Sequence, residues 1–338
     1  MRRMGPVVSL FFVAPFVAEF LLGDLPVVML PVLLAFAPMY GGGALLIREV
    51  ARRSGRGWPM MLTLALAFAV LEEGLLTQSL FNPNYAGEHL LQYAYIPALG
   101  IGGLWTPYVL GIHVLWSMAT PIALVEESSG FRRELPWLGR RGLWVTGGLF
   151  VVGWVVFFAI SYQMSDGFLA SPAQLISAAS ITMILVVVAF ALPRRSNQAA
   201  LGDVPRPWVV FLAAAIAGAL FIGMTFLPHY SGLFAGPVAV AVLAVLVSRW
   251  AKRMSWGHWH RYALAVAGLF TYAWHAFMMN GVTISERIVE MVSHVVFAVA
   301  AAVLAWRAYR RVRAYQPAAV DTAGSAPVLV AAGEAPKR

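Results

Sequence analysis

The sequence predicts an all-α, polytopic membrane protein of about ten transmembrane helices, and three observations lead there. Of the 338 residues, 60% are hydrophobic and 12% charged. Apolar runs of roughly 20 residues, the length that crosses a ~30 Å hydrocarbon layer, recur along the whole chain between short basic or Gly/Pro-rich breaks. The basic residues then alternate between loops: with the N-terminus inside, only Arg287 of the 24 Lys and Arg residues falls on the outer side. That alternation is the positive-inside pattern, and it places both termini in the cytoplasm.

The ten expected spans are 5–22, 25–47, 58–81, 103–125, 142–163, 172–192, 207–227, 232–249, 261–280 and 287–306. They are read as helices because backbone groups in lipid must bond within their own segment, and the runs lack the alternation of barrel strands. The N-terminal MRR and its apolar stretch carry no small-x-small cleavage site, so the first run is counted as a span. In the second, Pro26, Pro31 and Pro38 followed by Gly41-Gly42-Gly43 fit a kink or interruption, and equally a helix–helix contact that needs small residues. Arg48 and Glu49 close that span and read as a surface pair or snorkelling charges.

The segment between the third and fourth spans, residues 81–102, contains no Lys or Arg and forms the longest external connection, read as a lid or binding loop or as an amphipathic segment lying on the membrane. Asn82-Pro83-Asn84 opens it as a turn. Spans five to eight contain almost nothing ionisable and read as scaffold. Residues 1–313 are expected to form one transmembrane domain and 314–338, rich in Ala, Pro and Gly, a disordered cytoplasmic tail. The net charge of +9 comes from basic cytoplasmic rims facing anionic lipid headgroups. Membrane lipids are therefore the expected partners, with a membrane peptide or protein as substrate and no nucleic acid. The setting is a prokaryotic-type cytoplasmic membrane. Absence of cysteine excludes disulfides, thiolate metal sites and a cysteine nucleophile.

Functional candidates are the ionisable residues inside spans, because each is costly there. Glu72 and Glu73 stand ~21 Å along the third span at about 1.5 Å per residue, and a central acidic residue costs on the order of 3 kcal/mol to insert. Side by side on an α-helix they point about 100° apart, so one is expected to face a site and the other a neighbouring helix. His113 follows on the fourth span, with Thr106, Ser117 and Thr120 at helical spacing around it. His275 and Asn280 end the ninth span, and Arg287, Glu290 and His294 share a face of the tenth. A buried glutamate can take a proton from water while histidines stabilise the developing oxyanion, which is a hydrolase without metal or other cofactor. If a metal is present, His113, His275 and His294 are its expected ligands, although the HExxH spacing is missing.

The pair Glu72-Glu73, a histidine on the next helix and the later His275/Asn280 element resemble the CPBP family of intramembrane glutamic proteases, the CAAX-processing and bacteriocin-processing group. That family carries the motifs EExxxR, FxxxH and HxxxN. Here Thr77 stands where the family has arginine. His113 follows Tyr108 by five positions instead of four, and Asn280 follows His275 by five instead of four. The resemblance implies a peptidase with Glu72 or Glu73 as general base and His113, His275 and Asn280 in support. Two other classes fit the same residues: a proton-coupled transporter in a five-plus-five arrangement, and a lipid-binding membrane protein.

Overall fold

The computed structural model describes residues 4–194, 200–226, 230–279 and 283–315. Its helices are α1 (Gly5–Pro15), α2 (Leu33–Arg53), α3 (Trp58–Leu71), α4 (Trp105–Ile112), α5 (Thr120–Glu127), α6 (Arg140–Met164), α7 (Pro172–Ala191), α8 (Pro207–Gly223), α9 (Tyr230–Trp250), α10 (His258–His275) and α11 (Ile284–Ala314). Eight apolar helical stretches among the described residues are long enough to cross a bilayer, and α4 and α5 form a single one, Trp105–Glu127. The shorter apolar stretch Gly5–Leu21 and α10 supply helices for the two remaining expected spans. Asn280 and nearly all of the expected tail lie outside the described residues.

Local chemistry sets the helix ends. Ser171 and Gln174 close a capping box at the start of α7, and Thr283 with Glu286 does the same for α11. Prolines occupy the first turn of α3, α7 and α8, where the missing N–H has no intrahelical partner to lose.

The helices separate into a packed centre and a lipid-facing rim. The stretches Trp58–Leu76 and Trp105–Glu127 are each 72% buried, whereas Pro172–Ala191 is 11% and Leu233–Trp250 only 6% buried. Around the central α3, α4 and α5 stand α1, α2 and α10, while α6 packs on α2, α7 on α3, and α8 with α9 on α10. Large apolar side chains left exposed on the rim, such as Trp144, Ile176 and Val242, are the surface a lipid solvent requires.

Three expectations need correction or refinement. The predicted interruption of the second span is confined to a 3₁₀ turn, Val27–Val32, and α2 then runs unbroken through Pro38 and its three glycines. Those glycines serve packing instead: a Cβ on Gly41 would lie 2.0 Å from the Phe11 carbonyl oxygen of α1. Within the external connection, expected as a lid or binding loop or as an amphipathic segment, Tyr95–Ile96 (β1) and Ile101–Gly102 (β2) pair as a short antiparallel hairpin that the sequence did not foretell. Asn84 N–H does bond to the Asn82 side chain at 2.9 Å, as the turn reading requires.

The third correction concerns Arg48 and Glu49, which are fully buried rather than snorkelling. Arg48 bonds Glu126 at 2.9 Å, Glu49 at 2.5 Å and the carbonyls of Arg133 and Leu135 at 2.6 and 2.7 Å. Its guanidinium also lies 3.6 Å over the Trp137 ring. Glu49 in turn accepts from Trp137 N–H at 2.7 Å, and Arg52 holds Glu126 through two further bonds. This network ties α2, α5 and the connection before α6 together at the arginine-rich end of the bundle.

Candidate functional site

At the arginine-poor end of the bundle, three helices widen into π turns: Phe16–Leu21 after α1, Glu72–Leu76 after α3, and His113–Ala119 between α4 and α5. Such turns, with i→i+5 bonds such as Thr77 N–H to Glu72 C=O at 2.9 Å, are rare and concentrate at functional sites. Each of the three carries an ionisable residue: Glu19, the pair Glu72-Glu73, and His113. All three elements meet at one place.

His113 stands between the two glutamates. Its Nε2 is 2.8 Å from Glu73 Oε1, and its Nδ1 is 3.1 Å from Glu72 Oε2 and 3.2 Å from Ser117 Oγ. The expected division of labour between the glutamates does not hold, because the wider turn and the two-sided imidazole let one ring meet both carboxylates. Tyr40 of α2 stacks on His113 with ring centroids 6.1 Å apart and donates its hydroxyl to Glu72 Oε1 at 2.5 Å. Glu19 stands beside the same hydroxyl.

The two carboxylates differ in how completely they are held. Glu73 Oε2 accepts from the Thr77 hydroxyl at 2.9 Å and from the Ser79 hydroxyl, which itself accepts from the Trp105 indole at 3.1 Å. Glu72 Oε2, although near His113, has no hydrogen-bond partner, and the residue is fully buried. A buried oxygen left so costs on the order of 1–3 kcal/mol, and it is the one acceptor of the site free to take a proton. The chain leaves this turn through Gln78, held at φ 55°, whose side chain accepts from Ala170 N–H at 2.7 Å. That bond pins the end of α3 to the segment before α7 and closes the site over.

Not every predicted residue joins this group. His275 is buried against the end of the first span, with Nδ1 3.4 Å from the Leu22 carbonyl oxygen, and bonds neither glutamate. His294 lies edge-on to Phe277 at 5.6 Å, and its Nδ1 has no hydrogen-bond partner. The predicted trio His113, His275 and His294 is therefore not assembled. Among the described residues, the donors that converge closely enough for a metal are instead Glu72, Glu73 and His113, within 4.8 Å of one another. In the fourth span, Ser117 reaches His113, whereas Thr120 bonds back to the Leu115 carbonyl.

Sequence reasoning passed over Tyr40, Ser79 and Trp105, which sit in or beside apolar runs and look like belt or packing residues. Glu19 was visible as one more acidic residue in an apolar span, the signal that found Glu72 and Glu73. Neither the curated proteins nor the solved structures contain a match to this chain. The model of an uncharacterized membrane protein family matches residues 8–333, nearly the full length, and the chain belongs to that family.

Proposed function

We propose that the protein is a membrane-embedded hydrolase whose acid–base centre is Glu72, His113 and Glu73. The observation that carries this reading is the unpartnered Glu72 Oε2, 3.1 Å from the imidazole and completely buried. In the proposed reaction Glu72 takes a proton from a water as that water attacks a peptide or ester carbonyl. Glu73, fixed by Thr77 and Ser79, orients His113, which donates toward the oxyanion or the leaving group. In the positive-inside orientation this centre lies in the outer half of the membrane, and the proposed substrate is a membrane peptide or protein.

Two elements of the CPBP resemblance support this reading, the glutamate pair and the histidine of the following span. The third does not, since His275 is bonded elsewhere, and the family match adds nothing in its favour. The imidazole offers a different nitrogen to each carboxylate, the geometry of a proton bridge, whereas a single cation would take only one of them. The sequence Glu19, Tyr40, Glu72, His113, Glu73 forms a continuous polar chain across α1 to α4, and this favours a second reading, proton-coupled transport.

The test is a quenched-fluorescent peptide library offered to the protein in liposomes, beside a pH-sensitive dye trapped inside. Cleavage that disappears in Glu72→Gln, with no proton flux, supports hydrolysis. Full cleavage by folded Glu72→Gln and Glu73→Gln variants overturns the mechanism, and a solute-dependent proton flux without cleavage moves the assignment to transport. Loss of cleavage on chelation, restored by a divalent cation, would make the same three side chains metal ligands.

A further inference from the structure

A cavity of about 250 Å³ lies between α3, α5, α8, α9 and α10, toward the arginine-rich end and away from the acid–base centre. Small residues make it: Ala119, Ala123, Ala217, Ala244 and Gly268 leave room where larger side chains would interlock. α9 rests on α8 and is little buried, and the cleft beside it is partly open. Within a bilayer such an apolar gap fills with hydrocarbon, because water there finds no polar partners.

The mouth is not apolar. Trp58, Trp256 and Arg261 line the arginine-rich end of the cleft, and Arg249, Lys252 and Arg253, all three exposed, belong to the same stretch of chain as the lining residues Val247, Ala251 and Trp256. Exposed cations beside an apolar cleft fit a phosphate above an acyl chain.

We propose that this cleft is a binding site for one anionic phospholipid of the cytoplasmic leaflet. One acyl chain occupies the cavity, and the phosphate faces Arg249 and Lys252. Arg261 is already engaged by Glu127 and shapes the mouth from its side. The closed end of the cleft is formed by Trp116 and Thr271. Trp116 belongs to the π turn that carries His113 and stacks on Tyr272 at 5.2 Å, so a bound chain buttresses that turn from below.

The test uses the full chain, purified in mild detergent, stripped of lipid and titrated with dioleoyl phosphatidylglycerol or dioleoyl phosphatidylcholine under native mass spectrometry. The expected result is one saturable phosphatidylglycerol, bound at least fivefold more tightly than phosphatidylcholine. Ala244→Phe, on the loosely packed α9, should fill the cleft and weaken that binding about tenfold. Val247→Trp is the second filling variant should the first not fold. Arg249→Gln with Lys252→Gln should abolish the headgroup preference and leave chain binding. Equal binding of both lipids by the wild type overturns the headgroup assignment. Undiminished phosphatidylglycerol binding in a folded, cleft-filling variant overturns the site, leaving only lipid of the surrounding annulus.

Discussion

Two buried clusters of ionisable groups occupy opposite ends of one helical bundle, and they solve the same electrostatic problem in different ways. At the arginine-rich end, Glu49 and Glu126 are matched by Arg48, Arg52 and Arg53, and nearly every donor and acceptor among them has a partner. Arginine does not give up its proton, so charge there is fixed and the network acts as a rivet. At the other end, Glu72 and Glu73 share a single imidazole with Glu19 close by, and among the described residues no bond from an arginine or lysine to them is seen. Neutrality there depends on where protons sit. Buried charge is structural when its counter-charge is permanent, and it becomes chemically useful when the counter-charge is a movable proton.

The sharpest way to break this contrast is to remove one partner from each end. Arg48→Met should leave Glu126 with Arg52 alone, Glu49 with only Arg53 at 3.5 Å, and the Arg133 and Leu135 carbonyls without their donor, at a cost of about 3 kcal/mol. The expectation is loss of the monodisperse species in size-exclusion chromatography or a large fall in Tm. A Tm within a few degrees of wild type would show that the rivet carries no stability. Glu72→Gln should behave in the opposite manner, keeping the Tm while turnover falls at least 10²-fold, the usual range for a general base.

Smaller changes refine the picture. Tyr40→Phe removes the one donor on Glu72 Oε1, and roughly 1–3 kcal/mol of either stability or turnover should follow. If the loss falls wholly in Tm and not in turnover, Tyr40 is a packing residue. Ser117→Ala should have the least effect, about a threefold change in rate or about 1 kcal/mol in stability, since the 3.2 Å contact with His113 Nδ1 only helps set the tautomer. A larger effect would make the serine part of the proton path.

How much of this was legible in the sequence depended on the range of the interaction concerned. The helices followed from apolar runs, because burial in lipid is written residue by residue. Glu72, Glu73 and His113 stood out because a carboxylate or imidazole in such a run is expensive, and the structure puts them in contact. Arg48-Glu49 was misread because a charged pair at a helix end usually reaches water. Its partners lie 78 and more positions away, at Glu126 and in the connection beyond it. His275 was drawn into the site by a short motif read with the wrong spacing, and the Leu22 carbonyl that holds it is 253 residues distant. Tyr40 and Ser79 matter only through contacts that no local pattern encodes. The β1–β2 hairpin, with two residues in each strand, is too short for alternation to announce it.

The π turns also bear on inheritance. Each holds one more residue in its turn than an α-helix would, and the surplus is absorbed locally without disturbing the helix on either side. Deleting that residue would restore an ordinary helix and swing the side chains beyond it by about 100°. The segments Phe16–Leu21, Glu72–Leu76 and His113–Ala119 thus act as three gauge marks along the chain. In an alignment of the family, a single-residue gap at any of them, with the flanking helix intact, would mark a member that has kept the architecture and given up the chemistry.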